Sequence, residues 1–84
     1  MNIFLHISFD NCWISRIEEE CFSEKIENIT LQIDIINNQL RSIKTGTFRN
    51  LKVLYIRLNN NQIEMIEDES FHNLTLLDEL DLSF

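Results

Sequence analysis

The sequence predicts an α/β solenoid, a stack of coils with short parallel strands on a concave face and irregular or short-helical limbs on the convex face. Two observations carry this. The stretch Val53 to Ile66 places apolar residues at Val53, Ile56, Leu58, Ile63 and Ile66 with Asn61 among them, a spacing that fits neither a helix nor a plain alternating strand. The same spacing then recurs along the chain, and self-similarity at a fixed period marks a repeat architecture.

Taken in order, the first copy runs Phe4, Ile7, Phe9, then Cys12 in the asparagine position, then Ile14, Ile17 and Phe22. The second has Thr30, Ile33 and Ile35, then Asn38, then Leu40, Ile43, Phe48 and Leu51, with only Thr30 departing from the apolar pattern. In the third, Val53, Ile56 and Leu58 precede Asn61, and Ile63, Ile66, Phe71 and Leu74 follow it. Leu77, Leu80 and Leu82 open a fourth. The intervals are 26 residues from Cys12 to Asn38, 23 from Asn38 to Asn61 and 24 from Val53 to Leu77. They divide the single segment 1–84 into units 4–29, 30–52, 53–76 and 77–84, without recognisable caps.

Within each unit, Leu5–Asp10, Leu31–Ile36, Leu54–Asn59 and Asp78–Ser83 alternate with period two and are expected to stack as parallel strands. The return limbs, Ile17–Ile26, Ile43–Leu51 and Ile66–Leu74, carry the phenylalanines inward as a spine. Asn38 and Asn61 stand where the chain leaves the strand, and a buried amide there can satisfy turn backbone groups of neighbouring coils. Cys12 imitates this ladder only weakly, and as a lone thiol it is expected to be buried. Phe22 is 16 residues before Asn38 whereas Phe48 is 13 before Asn61, which places an insertion around Ser23–Asn28.

Composition sets limits on function. The chain is globular, with 44% hydrophobic and 25% charged residues, one glycine and no proline. Fourteen acidic against 7 basic residues leave a net charge of −7, which disfavours nucleic acid and anionic membranes, both of which are bound through Lys and Arg. Ile3-Phe4-Leu5 is too short for a membrane span and has no basic residue before it as a signal peptide would. Cys12 and Cys21 do not make a disulfide framework.

The spacing L-x-x-L-x-L-x-x-N/C-x-L, at a period of roughly 20–29 residues and with cysteine allowed for asparagine, resembles the leucine-rich repeat. The resemblance covers Phe4 to Phe84, and the phenylalanine near each repeat end is similar to the typical, extracellular class. It implies protein–protein recognition by the concave face, in an extracellular, receptor or innate-immune type of protein meeting a protein ligand or co-receptor. Repeats of this class occur in Toll-like receptor ectodomains, small proteoglycans, neuronal adhesion proteins and insect immune proteins. The localisation implied is extracellular or the cell surface. The alternative is a structural scaffold segment, or a self-association module forming a homo-oligomer.

The outward strand positions form rows: His6, Gln32, Tyr55 and Glu79; Ser8, Asp34, Arg57 and Asp81; Asp10, Ile36, Asn59 and Ser83. Beyond them come Asn11, Asn37, Asn60 and Phe84, then Trp13, Gln39 and Gln62. Arg57 is expected to pair with Asp34 and Asp81 on adjacent strands, either as plain surface pairing or as an anchor. Tyr55 and Arg57, with Gln32, Asp34, Ile36 and Asn59 around them, are the partner-binding candidates because Tyr and Arg are enriched at interface hot spots. Trp13 either meets a partner or covers the end of the first coil.

No cofactor or metal site is expected, and no enzyme. Glu18-Glu19-Glu20 and Glu67-Asp68-Glu69 read as a solvated acidic edge, His6 and His72 are isolated, and no phosphate loop or nucleophile motif occurs. Asn28-Ile29-Thr30 and Asn73-Leu74-Thr75 are N-glycosylation sequons on the convex limb. Uncapped apolar residues at both ends suggest a fragment of a longer repeat protein, one that folds marginally and associates when isolated.

Overall fold

Alternating apolar and polar residues assemble four segments into one parallel sheet in the computed structural model, which describes residues 3–18, 21–22 and 29–83. The strands in chain order are β1 (Ile3–Ser8), β2 (Ile29–Asp34), β3 (Ser42–Ile43), β4 (Phe48–Arg49), β5 (Val53–Arg57), β6 (Met65–Ile66), β7 (Phe71–His72) and β8 (Glu79–Asp81). The sheet order is β1-β2-β5-β8, and β3 pairs with β6 and β4 with β7, all in parallel. The chain thus passes through three ladders in turn, adding one strand to each per coil, which is a solenoid-like path.

Ile7, Ile33, Ile56 and Leu80 lie in register across the sheet. Ile33 and Ile56 are fully buried, and with Leu40, Ile43, Leu51 and Leu58 they place the core between the second and third coils. At the sheet edges the same positions are open: Phe4, Phe9 and Leu80 are exposed. Hydrogen bonding continues past the strand ends, with Phe9 N–H donating to Asp34 O at 2.9 Å, Ile35 to Arg57 O at 2.9 Å and Leu58 to Asp81 O at 2.8 Å. Its last bonds come from Asn11, Asn37 and Asn60, which donate to Ile36, Asn59 and Ser83 O and take φ of 55°, 57° and 60°. Asparagine enters this left-handed region more readily than other non-glycine residues, so it ends each strand at little cost.

One register differs from the repeat alignment. Leu31 pairs with Val53 but Gln32 with Tyr55, so Leu54 bulges from β5 without a partner in β2. Thr30 therefore does not oppose Val53, and the alignment holds only from Gln32 onward.

The limbs also differ from expectation. Among the described residues they contain no helix, only two-residue strands, turns and irregular segments, so the described part is parallel β and the short-helical form expected as one alternative does not occur in it. The reason is length and residue type. Four residues, Lys44 to Thr47, separate β3 from β4, about one helical turn. Ile43 and Phe48 are types that suit pleated surfaces. Phe22, Phe48 and Phe71 stack with ring centroids 5.5 and 5.3 Å apart and planes nearly parallel. The insertion around Ser23–Asn28 lies outside the described residues, as do Glu19, Glu20 and Phe84.

Two buried amides tie the coils together. Asn61 Oδ1 accepts the Leu40 N–H at 3.1 Å, and its Nδ2 donates to the carbonyls of Ile35 and Leu58, each at 2.8 Å. Asn38 does the same one coil earlier, accepting from Cys12 and Ile14 N–H and donating to Phe9 and Ile36 O. Cys12, in contrast to the expected buried thiol, is exposed; its Sγ reaches only Asp10 O at 3.3 Å. β1 is a sheet edge, and no described coil lies against its outer side.

On the limbs, Glu67 joins neighbouring coils. Its Oε1 accepts the Thr45 N–H at 2.9 Å and its Oε2 lies 3.7 Å from Lys44 Nζ. The Thr45 amide, and after it the Lys44 charge, hold this carboxyl below the usual glutamate range. A carboxyl acidified by folding adds stability that is complete above its unfolded value, here 4.5, and is lost as pH falls through the lower folded value. Glu67→Gln is therefore expected to flatten the acid limb of the stability–pH curve, read by urea unfolding from about pH 6 to 3. An acid limb unchanged by the substitution would show that this contact contributes nothing.

Candidate functional site

Because side chains alternate across a strand, the residues flanking Ile33 and Ile56 emerge on the opposite, solvent-facing side of the sheet. His6, Gln32, Tyr55 and Glu79 stand in register there, as do Ser8, Asp34, Arg57 and Asp81. Tyr55 donates its hydroxyl to Gln32 Oε1 at 3.0 Å. Arg57 folds back over the Tyr55 ring, its guanidinium carbon 3.9 Å from the centroid, and Nε donates to Glu79 Oε2 at 2.8 Å. His6 meets Tyr55 edge-on at 6.3 Å. Four strands thereby contribute to one connected patch.

Arg57 does not hydrogen-bond to Asp34 or Asp81, which corrects the expected pairing. Stacking on Tyr55 carries its guanidinium to the neighbouring row, where Glu79 raises its pKa further through their hydrogen bond. Asp81 is engaged locally instead. Its Oδ1 accepts the Ser83 N–H at 2.9 Å, and hydrogen bonds from Ser83 keep its carboxyl below the usual aspartate range. Asp34 is buried rather than presented, with His6 Nε2 2.6 Å from its Oδ2. Its Oδ1 is buried with no partner among the described residues. Asp34 thus underlies the patch.

The other candidates are dispersed. Ile36 and Asn59 are half-buried beyond the strand ends, each accepting at its carbonyl an N–H from the preceding coil, Asn11 at 3.1 Å and Asn37 at 3.2 Å. Trp13 lies apart from the Tyr55 patch, 74% exposed and with φ of 64°, so it does not cover the end of the first coil. It lines a groove of about 580 Å³ together with Gln39 and Gln62 and the row Asn11, Asn37 and Asn60. In that row Asn60 Nδ2 donates to Asn37 Oδ1, and Asn37 Nδ2 to Asp10 Oδ1 at 2.8 Å. This second, surface ladder of amides was legible only as a recurrence of asparagine; nothing in the spacing says that the side chains bond to one another.

Asn73, of the second sequon, is exposed just after β7, and its Nδ2 donates to Asn50 Oδ1 at 2.8 Å. Asn28 lies outside the described residues. The patch residues that the candidate set omitted are His6 and Glu79. Their row position alone does not distinguish them from other polar side chains; their contacts with Asp34 and Arg57 do. Among the described residues no group of three His, Cys, Asp or Glu is placed to hold a metal ion, and no helix is long and apolar enough to cross a membrane.

No curated protein and no solved structure matches the chain. The family model described as Leucine rich repeat matches residues 28–84, which span β2 through β8 and both buried asparagines. Domains of this family generally mediate protein–protein interaction and are typically non-enzymatic. With the match covering more than half of the sequence and asparagine-tied coils present in the fold over the matched residues, the chain belongs to the leucine-rich repeat family.

Proposed function

We propose that the chain recognises a protein ligand or co-receptor through the solvent-facing, concave side of its four-stranded sheet, with Tyr55 and Arg57 as anchors and Gln32 and Asn59 beside them. The observation that carries this is the Gln32–Tyr55–Arg57–Glu79 relay across three strands. It holds two residue types favoured at hot spots in one arrangement before any partner arrives, which lowers the ordering cost of binding. Asp34 supports the patch from beneath, through His6.

The setting we propose is extracellular or cell-surface, in a receptor or innate-immune type of protein. Two things support it: the likeness to the typical repeat class, and the exposed sequon at Asn73, which sits on a limb and leaves the four-stranded sheet clear. A partner recovered by affinity capture from extracellular fluid provides the test. Tyr55→Ala and Arg57→Ala are each expected to weaken its binding by about 30-fold, the scale of a hot-spot loss, in biolayer interferometry. Unchanged affinity in both variants, with folding intact, would remove the sheet face from recognition.

A further inference from the structure

We propose that the groove beside the four-stranded sheet is a binding site for a neutral oligosaccharide, separate from the Tyr55–Arg57 patch. At about 580 Å³ it lies within the range of roughly 300–1,000 Å³ typical of small-ligand sites. Its lining is almost entirely amide, with one aromatic ring, Trp13, and one carboxylate, Asp10. A side-chain amide offers donors and an acceptor without net charge. A sugar hydroxyl is likewise donor and acceptor at once, so the two match without either partner burying a charge.

The groove is also partly pre-set. The Asn60–Asn37–Asp10 chain of hydrogen bonds orients its amides and engages the carboxylate. The side chains of Asn11, Gln39 and Gln62 have no hydrogen-bond partner among the described residues, so they can turn to a ligand. Trp13 leaves 74% of its surface in water and holds φ at 64°, where a bulky residue is uncommon. An exposed indole beside amides provides an apolar face for the C–H side of a pyranose while its hydroxyls meet the polar groups.

Repetition adds a direction. Asn11, Asn37 and Asn60 come one per coil, as do Trp13, Gln39 and Gln62, so polar groups recur at about the 4.8 Å separation of neighbouring strands. A linear ligand of repeating units can use successive coils. A charged peptide finds less: the lining has no cation, and its one anion is already bonded to Asn37.

Trp13 is the only tryptophan, so its fluorescence reads this groove alone. Titration of the full chain with cellotetraose, maltotetraose and N-acetylchitotetraose up to about 10 mM is expected to change Trp13 emission saturably with at least one of them. Gln39→Ala and Gln62→Ala, both at exposed positions, are expected to raise Kd roughly three- to tenfold each, while Tyr55→Ala leaves it unchanged. Trp13→Phe, followed through the Gln39 and Gln62 amide resonances, is expected to weaken binding with the circular dichroism spectrum retained. Absence of a saturable response to all three sugars overturns the proposal, as does a response that the glutamine variants leave unaltered. Saturation by a neutral tetrapeptide but by none of the sugars assigns the groove to peptides and overturns it equally.

Discussion

Asn61→Ala is expected to destabilise the fold by about 3 kcal/mol or more, because three backbone groups lose their partner together and each unsatisfied buried group costs roughly 1–3 kcal/mol. The Leu40 N–H and the Ile35 and Leu58 carbonyls all bond to this one amide, and Asn61 is 4% exposed, so water does not readily replace it. Against a typical total stability of about 5–15 kcal/mol, the loss leaves a marginal protein. Urea unfolding measures it as a fall in midpoint at unchanged slope. Asn61→Asp gives a second reading of the same site, since a carboxylate faces two carbonyls that require a donor. A loss below about 1 kcal/mol in Asn61→Ala would mean that the ladder is replaceable by solvent.

Phe48→Ala is expected to cost about 3–5 kcal/mol, the range for removing a buried aromatic ring. Phe48 is 0% exposed and lies between Phe22 and Phe71, with stacked contacts on both faces. It also stands in β4, paired with Phe71 in β7, so the cavity would open inside the ladder that holds the limbs together. Phe48→Leu separates volume from stacking. It restores much of the apolar bulk and leaves the loss of two ring pairs, about 0.5–1.5 kcal/mol each. Thermal unfolding of both variants tests this, and an alanine variant melting with the wild type would show that the spine does not contribute to stability.

The core and the coil path could be read from residue spacing because burial depends on which positions are apolar, and these recur at a near-constant interval. Asn38 and Asn61 could be singled out for a related reason: a polar residue in an otherwise apolar register must find backbone partners. The candidate patch was legible only in part. Tyr55 and Arg57 could be placed on one face, but not Arg57 stacked on Tyr55 and bonded to Glu79, since Asp34, Asp81 and Glu79 are equally plausible partners for a long, flexible guanidinium. In the fold Arg57 stacks on Tyr55 and meets Glu79, while Asp81 accepts from Ser83 and Asp34 meets His6.

Thr30 and Leu54 show how fine that limit is. A repeat interval counts residues, whereas pairing depends on backbone hydrogen bonds, and a single bulge at Leu54 moves Leu31 opposite Val53 without altering the count further on. Exposure at the edges has a similar origin. Cys12 and Trp13 occupy repeat positions, yet their burial depends on what lies against β1 and its turn, which is a property of neighbours in space.

The sequence by itself determined the period, the inward residues, the asparagine anchors and the family, because each depends on residue type at a regular interval along one chain. Tertiary structure alone decided that the limbs of the second and third coils hold two-residue strands rather than helical turns, that Arg57 meets Glu79, and that Trp13 opens a groove instead of closing a coil. Those outcomes turn on energies between side chains and backbone groups 20 or more residues apart in the chain. Spacing brings such groups near one another, but only the packed coils select which of them touch.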